Sequence, residues 1–129
     1  MSMYPKFGMA FNIGSTNEER IEAFQMYQEA FNALKVSEVG PPDHPDIHIT
    51  MEINRFNILL APGGKVEKVI ENPVCCEIRF DNEKDLRKAY DILSNGALNY
   101  SLEGPYPWAT LLGLVIDKFG IPWALYFNK

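Results

Sequence analysis

The sequence predicts an α+β protein built from two βαβββ modules. Three observations predict it. Apolar and polar residues alternate strictly from Ile47 to Ile53. Helix-period apolar stripes follow helix-start signals near Thr16 and Asp81. The order strand, helix, strand, strand, strand occurs twice, on either side of a Pro-Gly-Gly stretch at Pro62. One such unit cannot bury both sides of its sheet, so the two modules are expected to pair into a single domain.

The elements follow in order. Lys6–Ile13 reads as a first strand, broken by Gly14-Ser15-Thr16-Asn17. Thr16-x-x-Glu19 fits a capping box, in which hydroxyl and carboxylate satisfy free amides at the helix start. Ile21, Phe24, Tyr27, Phe31 and Leu34 then recur at helical spacing and form one stripe for packing on a sheet. A second strand near Lys35–Val39 leads into the proline-rich loop Gly40–Asp46, which cannot extend a ladder. In Ile47–Ile53, Ile47, Ile49, Met51 and Ile53 share one face, and His48, Thr50 and Glu52 share the other. Asn54-Arg55 turns the chain into Phe56–Ala61. Residues 63–72 read as a linker between modules 1–62 and 73–129. Its Gly63-Gly64-Lys65 is no phosphate loop, because Val66 stands where Ser or Thr is required.

The second module opens with a strand at Val74–Phe80 and a helix capped at Asp81, with Leu86, Ala89, Tyr90 and Leu93 as its stripe. Asn95-Gly96 ends that helix. Ala97–Glu103 is a strand and Gly104–Pro107 a turn. Thr110–Ile116 and Pro122–Phe127 form an apolar hairpin across Asp117-Lys118-Phe119-Gly120, where Asp can bond backbone amides and Gly tolerates positive φ.

Composition narrows the function. The 129 residues carry a net charge of −5, and the longest basic cluster is the pair Arg87-Lys88, so no nucleic-acid partner is expected. No apolar run reaches membrane-spanning length and no signal peptide is visible, so the expected location is cytoplasmic, without a membrane partner. Cys75 and Cys76 are adjacent and point to opposite faces of a strand, which reads as two reduced thiols rather than a disulfide.

Three stretches carry a family resemblance. Glu22-Ala23-Phe24-Gln25-Met26-Tyr27-Gln28-Glu29-Ala30-Phe31 is similar to a helix of the type E-A-x-x-F-Y-x-x-x-F. Ile47-His48-Ile49-Thr50-Met51 is similar to an H-A-x-L strand. Trp108-Ala109-Thr110 through Gly113 and Asp117-Lys118-Phe119-Gly120-Ile121-Pro122-Trp123 is similar to W-G-x-x-x-G-x-x-x-D-x-F-G-x-x-W, with Ala109 in place of the first Gly. Together they resemble the vicinal oxygen chelate superfamily of glyoxalase, bleomycin-resistance and dioxygenase proteins, and within it the PhnB-like branch. The resemblance implies that curved mixed sheets form an open barrel around a cavity, with the helices on the outer faces. It also implies a divalent-metal site in the enzymes, with ligands from the first and last strands of each module. The corresponding positions here fall near Met9–Asn12, among Asn57–Leu60, near Val74–Cys75, and at Ala124, where the enzymes commonly have Glu. A methyl group cannot ligate a metal, and Asn12 and Cys75 are too few, so no metal and no other cofactor are expected. His48 and Glu52 lie roughly 13 Å apart at ~3.3 Å per residue and cannot share an ion between them alone.

The leading expectation is therefore a non-metal protein that binds a small molecule, with His48, Thr50 and Glu52 as the polar wall and Tyr106, Trp108 and Trp123 as aromatic walls. An acidic protein with such walls suits a cationic ligand. Alternatives are a metal-dependent lyase, isomerase or dioxygenase of the same superfamily, and a structural or interaction dimer without a ligand. A homodimer is expected, from the resemblance and from the sheet edges that open modules leave uncovered.

Overall fold

The computed structural model describes residues 7–63 and 73–129. The chain divides into two compact units that meet in sequence at Gly64 and Lys65. The expected linker lies almost wholly at 64–72, outside the described residues.

Unit 1 contains β1 (Met9–Asn12), α1 (Asn17–Phe31), β2 (Leu34–Val39), β3 (His48–Ile53) and β4 (Phe56–Ala61). Unit 2 repeats the order with β5 (Cys76–Arg79), α2 (Glu83–Ser94), β6 (Asn99–Glu103), β7 (Leu111–Ile116) and β8 (Pro122–Phe127). The sheets are four-stranded and mixed, ordered β1-β4-β3-β2 and β5-β8-β7-β6. In each, the first strand runs parallel to the last and the other pairs are antiparallel. Neither sheet closes on itself.

In unit 1, Phe11, Ile49, Met51, Ile58 and Leu60 are buried on the face that meets α1. Alternation leaves His48, Thr50 and Glu52, all half-buried, on the opposite face. Thr16 caps α1 by accepting from the Glu19 amide at 3.2 Å. The Glu19 carboxylate departs from the capping-box expectation: it accepts from the hydroxyls of Thr16 at 3.1 Å and Ser15 at 3.4 Å. The helix stripe also differs. Ile21 is 37% exposed and Leu34 lies in β2, whereas Arg20 is completely buried. Arg20 sits one helical step before Phe24 and Tyr27, so its position belongs to the stripe even though its charge does not. Its Nε donates to the Ile47 carbonyl at 2.6 Å and Nη1 to the carbonyls of Ile13 and Gly14, each at 3.0 Å. Its Nη2 donates to Asn17 Oδ1 at 2.8 Å. Asn17 Oδ1 also accepts from the Ile47 amide, and Asn17 Nδ2 donates to the Pro45 carbonyl. Arg20 and Asn17 thereby pin the proline-rich loop to the helix start, and bonds to backbone carbonyls make the buried guanidinium tolerable.

In unit 2 the cap of α2 is Asn82 rather than Asp81. Its side chain accepts from the Asp85 amide at 2.8 Å and donates to the Asp85 carboxylate at 2.9 Å. Leu86, Ala89 and Leu93 are the buried stripe, packed on β7 and β8. The left-handed residue after α2 is Gly96, with φ of 73°. The expected strands keep their places: Phe56–Ala61 and Pro122–Phe127 match at both ends, and the others differ by one to three residues at one or both ends. No helix among the described residues is long and apolar enough to cross a membrane.

Candidate ligand-binding face

The turn between β7 and β8 sets the second sheet. Asp117 is fully buried. Its Oδ1 accepts from the amides of Phe119 at 2.9 Å and Ile121 at 3.1 Å, and its Oδ2 accepts from Trp123 Nε1 at 2.9 Å. One carboxylate thus fixes both the turn and the indole two residues into the returning strand. Gly120, at φ 87°, supplies the left-handed step.

With the hairpin fixed, the register defines the two faces. A side chain at Gly113 would lie 3.0 Å from Tyr90 Cδ2 of α2, so that row faces the helix. Trp123 and Leu125 are buried on the same side. The opposite, open face is three rows deep. Asn99, Ile116 and Pro122 form one row, which alternation extends to Cys75. Ser101, Leu114, Ala124 and Glu77 form the next. Glu103, Leu112, Tyr126 and Arg79 form the third.

A cavity of about 260 Å³ lies on the first two rows. Cys75, Asn99, Ser101, Leu114, Ile116 and Pro122 line it from this face, and Tyr100, Val115 and Trp123, which alternate with them along the strands, border it. The walls are mostly apolar, with an amide, a hydroxyl and a thiol as polar groups, the usual composition of a small-molecule pocket.

Beside the cavity, Glu103 Oε2 accepts from Ser101 Oγ at 2.6 Å and Oε1 from the Tyr106 hydroxyl at 2.7 Å. These two bonds hold the Glu103 carboxyl below its ordinary titration range, and the same bond pushes the Tyr106 phenol up. Tyr106 stacks on Trp108 with ring centroids 5.2 Å apart and planes 8° from parallel. Trp108 is 56% exposed. On the far side of the face, Arg79 lies over the Tyr126 ring at 5.0 Å and pairs with Glu77 at 3.1 Å. Burial, and next the neighbouring Cys75, push the Cys76 thiol up to about 11.

Of the residues expected from sequence, Tyr106 and Trp108 form one stacked pair. Trp123 is buried and borders the cavity, with its indole nitrogen bonded to Asp117. His48, Thr50 and Glu52 belong to unit 1. There Glu52 stands between Leu34 and Asn57, and Thr50 between Ser37 and Leu59. His48 Nδ1 lies 3.1 Å from the Asp46 carbonyl, and its ring meets His44 edge-on at 5.3 Å. Sequence reasoning did not reach Asn99, Ser101 and Leu114, which come together only through strand register. The one signal available was Gly113, a gap in the run Leu111–Ile116 that marks which side packs on a helix.

Ala124 presents a methyl group on the open face, between Leu114 and Glu77. The β5 residue beside Ala124 is Glu77. Among the described residues, no three His, Cys, Asp or Glu side chains gather where they could hold an ion.

No protein-family model matches the sequence, and no curated protein matches it. Solved structures do. A PhnB protein from Bacillus cereus is similar with a TM-score of 0.70 and 17% identity, covering 96% of this chain and 100% of its own. FosX, a fosfomycin resistance protein from Listeria monocytogenes solved with Mn(II) and sulfate, is similar with a TM-score of 0.65 and 15% identity, over 98% of this chain and 95% of its own. A glyoxylase/bleomycin resistance protein/dioxygenase domain from Frankia sp. gives 0.66 and 12%, over 99% and 94%. The chain therefore has the vicinal oxygen chelate fold, and PhnB-like proteins are among those that share it.

Proposed function

We propose that this chain is a small-molecule-binding protein of the vicinal oxygen chelate fold that acts without a bound metal, and that its ligand sits on the open face of the second module's sheet. The cavity over Asn99, Ser101 and Leu114 carries this reading. Its volume of about 260 Å³, just below the ~300–1,000 Å³ of drug-sized ligand pockets, suits a compact molecule. Leu114, Ile116 and Pro122 would take an apolar body, and Asn99 and Ser101 a hydrogen-bonding group. Glu103 with the Tyr106–Trp108 stack beside it favours a cationic substituent. Ala124 and the scattered donors support binding without a metal. The polar face of His48, Thr50 and Glu52 is the second place where a ligand could be held.

The test is a thermal-shift screen of small aromatic and aliphatic amines against their neutral isosteres. A ligand at 100 times its Kd stabilises by about 2.7 kcal/mol, a shift of several degrees. Leu114→Trp, which fills the cavity, should abolish the shift. His48→Ala and Glu52→Gln should leave it unchanged. Hits lost in those two variants and kept in Leu114→Trp would move the site to the first module. Hits unaffected by all three would refute a site on either face. A stoichiometric metal found by elemental analysis of untagged protein, which also raised the melting temperature, would favour the metal-dependent lyase, isomerase or dioxygenase reading instead.

A further inference from the structure

The outer edge of β2 is exposed along its whole length. Leu34, Val36 and Val39 are 60%, 54% and 52% exposed, an unusual apolar content for an edge strand. The strand pairs with β3 on one side and is the last of its sheet on the other.

Its sequence, Leu34-Lys35-Val36-Ser37-Glu38-Val39, is self-complementary about the point between Val36 and Ser37. Laid antiparallel on itself there, Lys35 faces Glu38, Leu34 faces Val39, and Val36 faces Ser37. A regular strand could not use this register. Facing residues in an antiparallel ladder must point their backbone groups the same way, both toward each other or both away. Pairing about a point between two residues would set each against one of opposite phase.

The irregularity in β2 removes that mismatch. The register with β3 shifts between Lys35 and Ser37, leaving Val36 as an extra residue. Lys35 and Glu38 therefore stand opposite Met51 and Ile49, two residues apart on β3, and share a phase. Leu34 and Val39 stand opposite Glu52 and His48 and share the other. The faces agree as well. Lys35 and Glu38 lie on the α1 side, where Lys35 Nζ sits 5.7 Å from the Phe24 ring centroid, and Leu34 and Val39 lie on the open side.

We propose that β2 is a self-pairing edge: two copies of this chain join antiparallel about a two-fold axis between Val36 and Ser37, making one continuous eight-stranded sheet from two four-stranded ones. Each Lys35 faces Glu38 of the second copy, and each Leu34 faces Val39 of the second copy. A bulge and a lysine are devices that usually blunt an edge. Here the bulge supplies the phase, and Glu38, already 2.9 Å from Lys35 within the chain, neutralises the lysine. Two such pairs brought together form a ring of four alternating charges. A six-residue edge covers less than the ~1,200 Å² of a standard stable interface, so association is reversible and concentration-dependent.

The test is sedimentation velocity of the full chain over a concentration series. The parent should pass from monomer to dimer. Glu38→Lys and Lys35→Glu, each alone, place like charges across the axis and should weaken dimerisation at least tenfold. Circular dichroism and melting temperature should stay near those of the parent, because both side chains are exposed. An equimolar mixture of the two variants restores both opposite-charge contacts and should form a heterodimer, as the double swap Lys35→Glu/Glu38→Lys should form a homodimer. A parent that is monomeric at every concentration would overturn the proposal. So would a parent dimer that neither variant weakens, or variants that stay apart when mixed.

Discussion

Replacing Asp117 by asparagine keeps a carbonyl oxygen where Oδ1 stands, able to accept from the Phe119 and Ile121 amides. It puts an amide nitrogen where Oδ2 accepts from Trp123 Nε1, so two donors face each other in a buried site. The cost of one buried donor left without its acceptor is about 1–3 kcal/mol. Asp117→Ala removes these three acceptor contacts, and relaxation around the two backbone amides leaves an expected loss of roughly 3–5 kcal/mol. Against a typical total of about 5–15 kcal/mol, the alanine variant should be marginal and the asparagine variant folded. At roughly 4 °C per kcal/mol, calorimetry should show Tm falling by about 4–12 °C for Asp117→Asn and further for Asp117→Ala. Trp123→Phe removes the indole donor, so Asp117→Asn should cost less in its presence than in the parent; this double-mutant cycle isolates the indole–carboxylate bond. If Asp117→Ala melts within 2 °C of the parent, the carboxylate does not organise the hairpin. If the two changes are additive in the cycle, the indole bond is not what Asp117→Asn breaks.

Arg55 holds φ at 71° in the β3–β4 turn, following Asn54 at 47°. Arg55→Gly relieves a left-handed strain of about 1–2 kcal/mol against an entropic cost of about 0.5–1, and should raise stability by up to ~1.5 kcal/mol in urea titration. Peptide mapping after brief alkylation at neutral pH should find the exposed Cys75 modified and Cys76 spared, because Cys76 stays protonated until about pH 11. By the same linkage, the folded chain keeps a proton on Cys76 that the unfolded chain releases above its ordinary value of 9.0, so this contribution to stability should fall as pH rises from about 9 to 11. Tyr106→Phe removes a donor to Glu103 and should move the Glu103 carboxyl titration upward, read by NMR; an unchanged midpoint would show that Ser101 alone holds it down.

Much of the fold was legible because its signals are local. The alternation from Ile47 to Ile53, the Thr16 cap and the Asp117–Gly120 turn each act within a few residues. Arg20 was not legible, because a charge at a helix start reads as solvated unless the three carbonyls waiting for it are known. Asp81 and Asn82 are both good cap formers, and only the position of Asp85 three residues after Asn82 separates them. The cavity was the least legible. Leu111–Ile116 is apolar on both faces, so hydropathy cannot say which side packs on α2, and Asn99 and Ser101 meet Ile116 and Leu114 only through a register that sequence does not print.

Both tryptophans, Trp108 and Trp123, fall in unit 2, and they inhabit opposite surroundings. Selectively excited indole emission therefore reports on one half of the chain only, while far-ultraviolet dichroism sees both helices. An unfolding curve followed by emission and by dichroism will coincide if the halves melt together and separate if they do not. Within the emission itself, a water-soluble quencher reaches Trp108 and leaves the indole held by Asp117 bright. The protein thus carries its own optical gauge of cooperativity between its repeated halves.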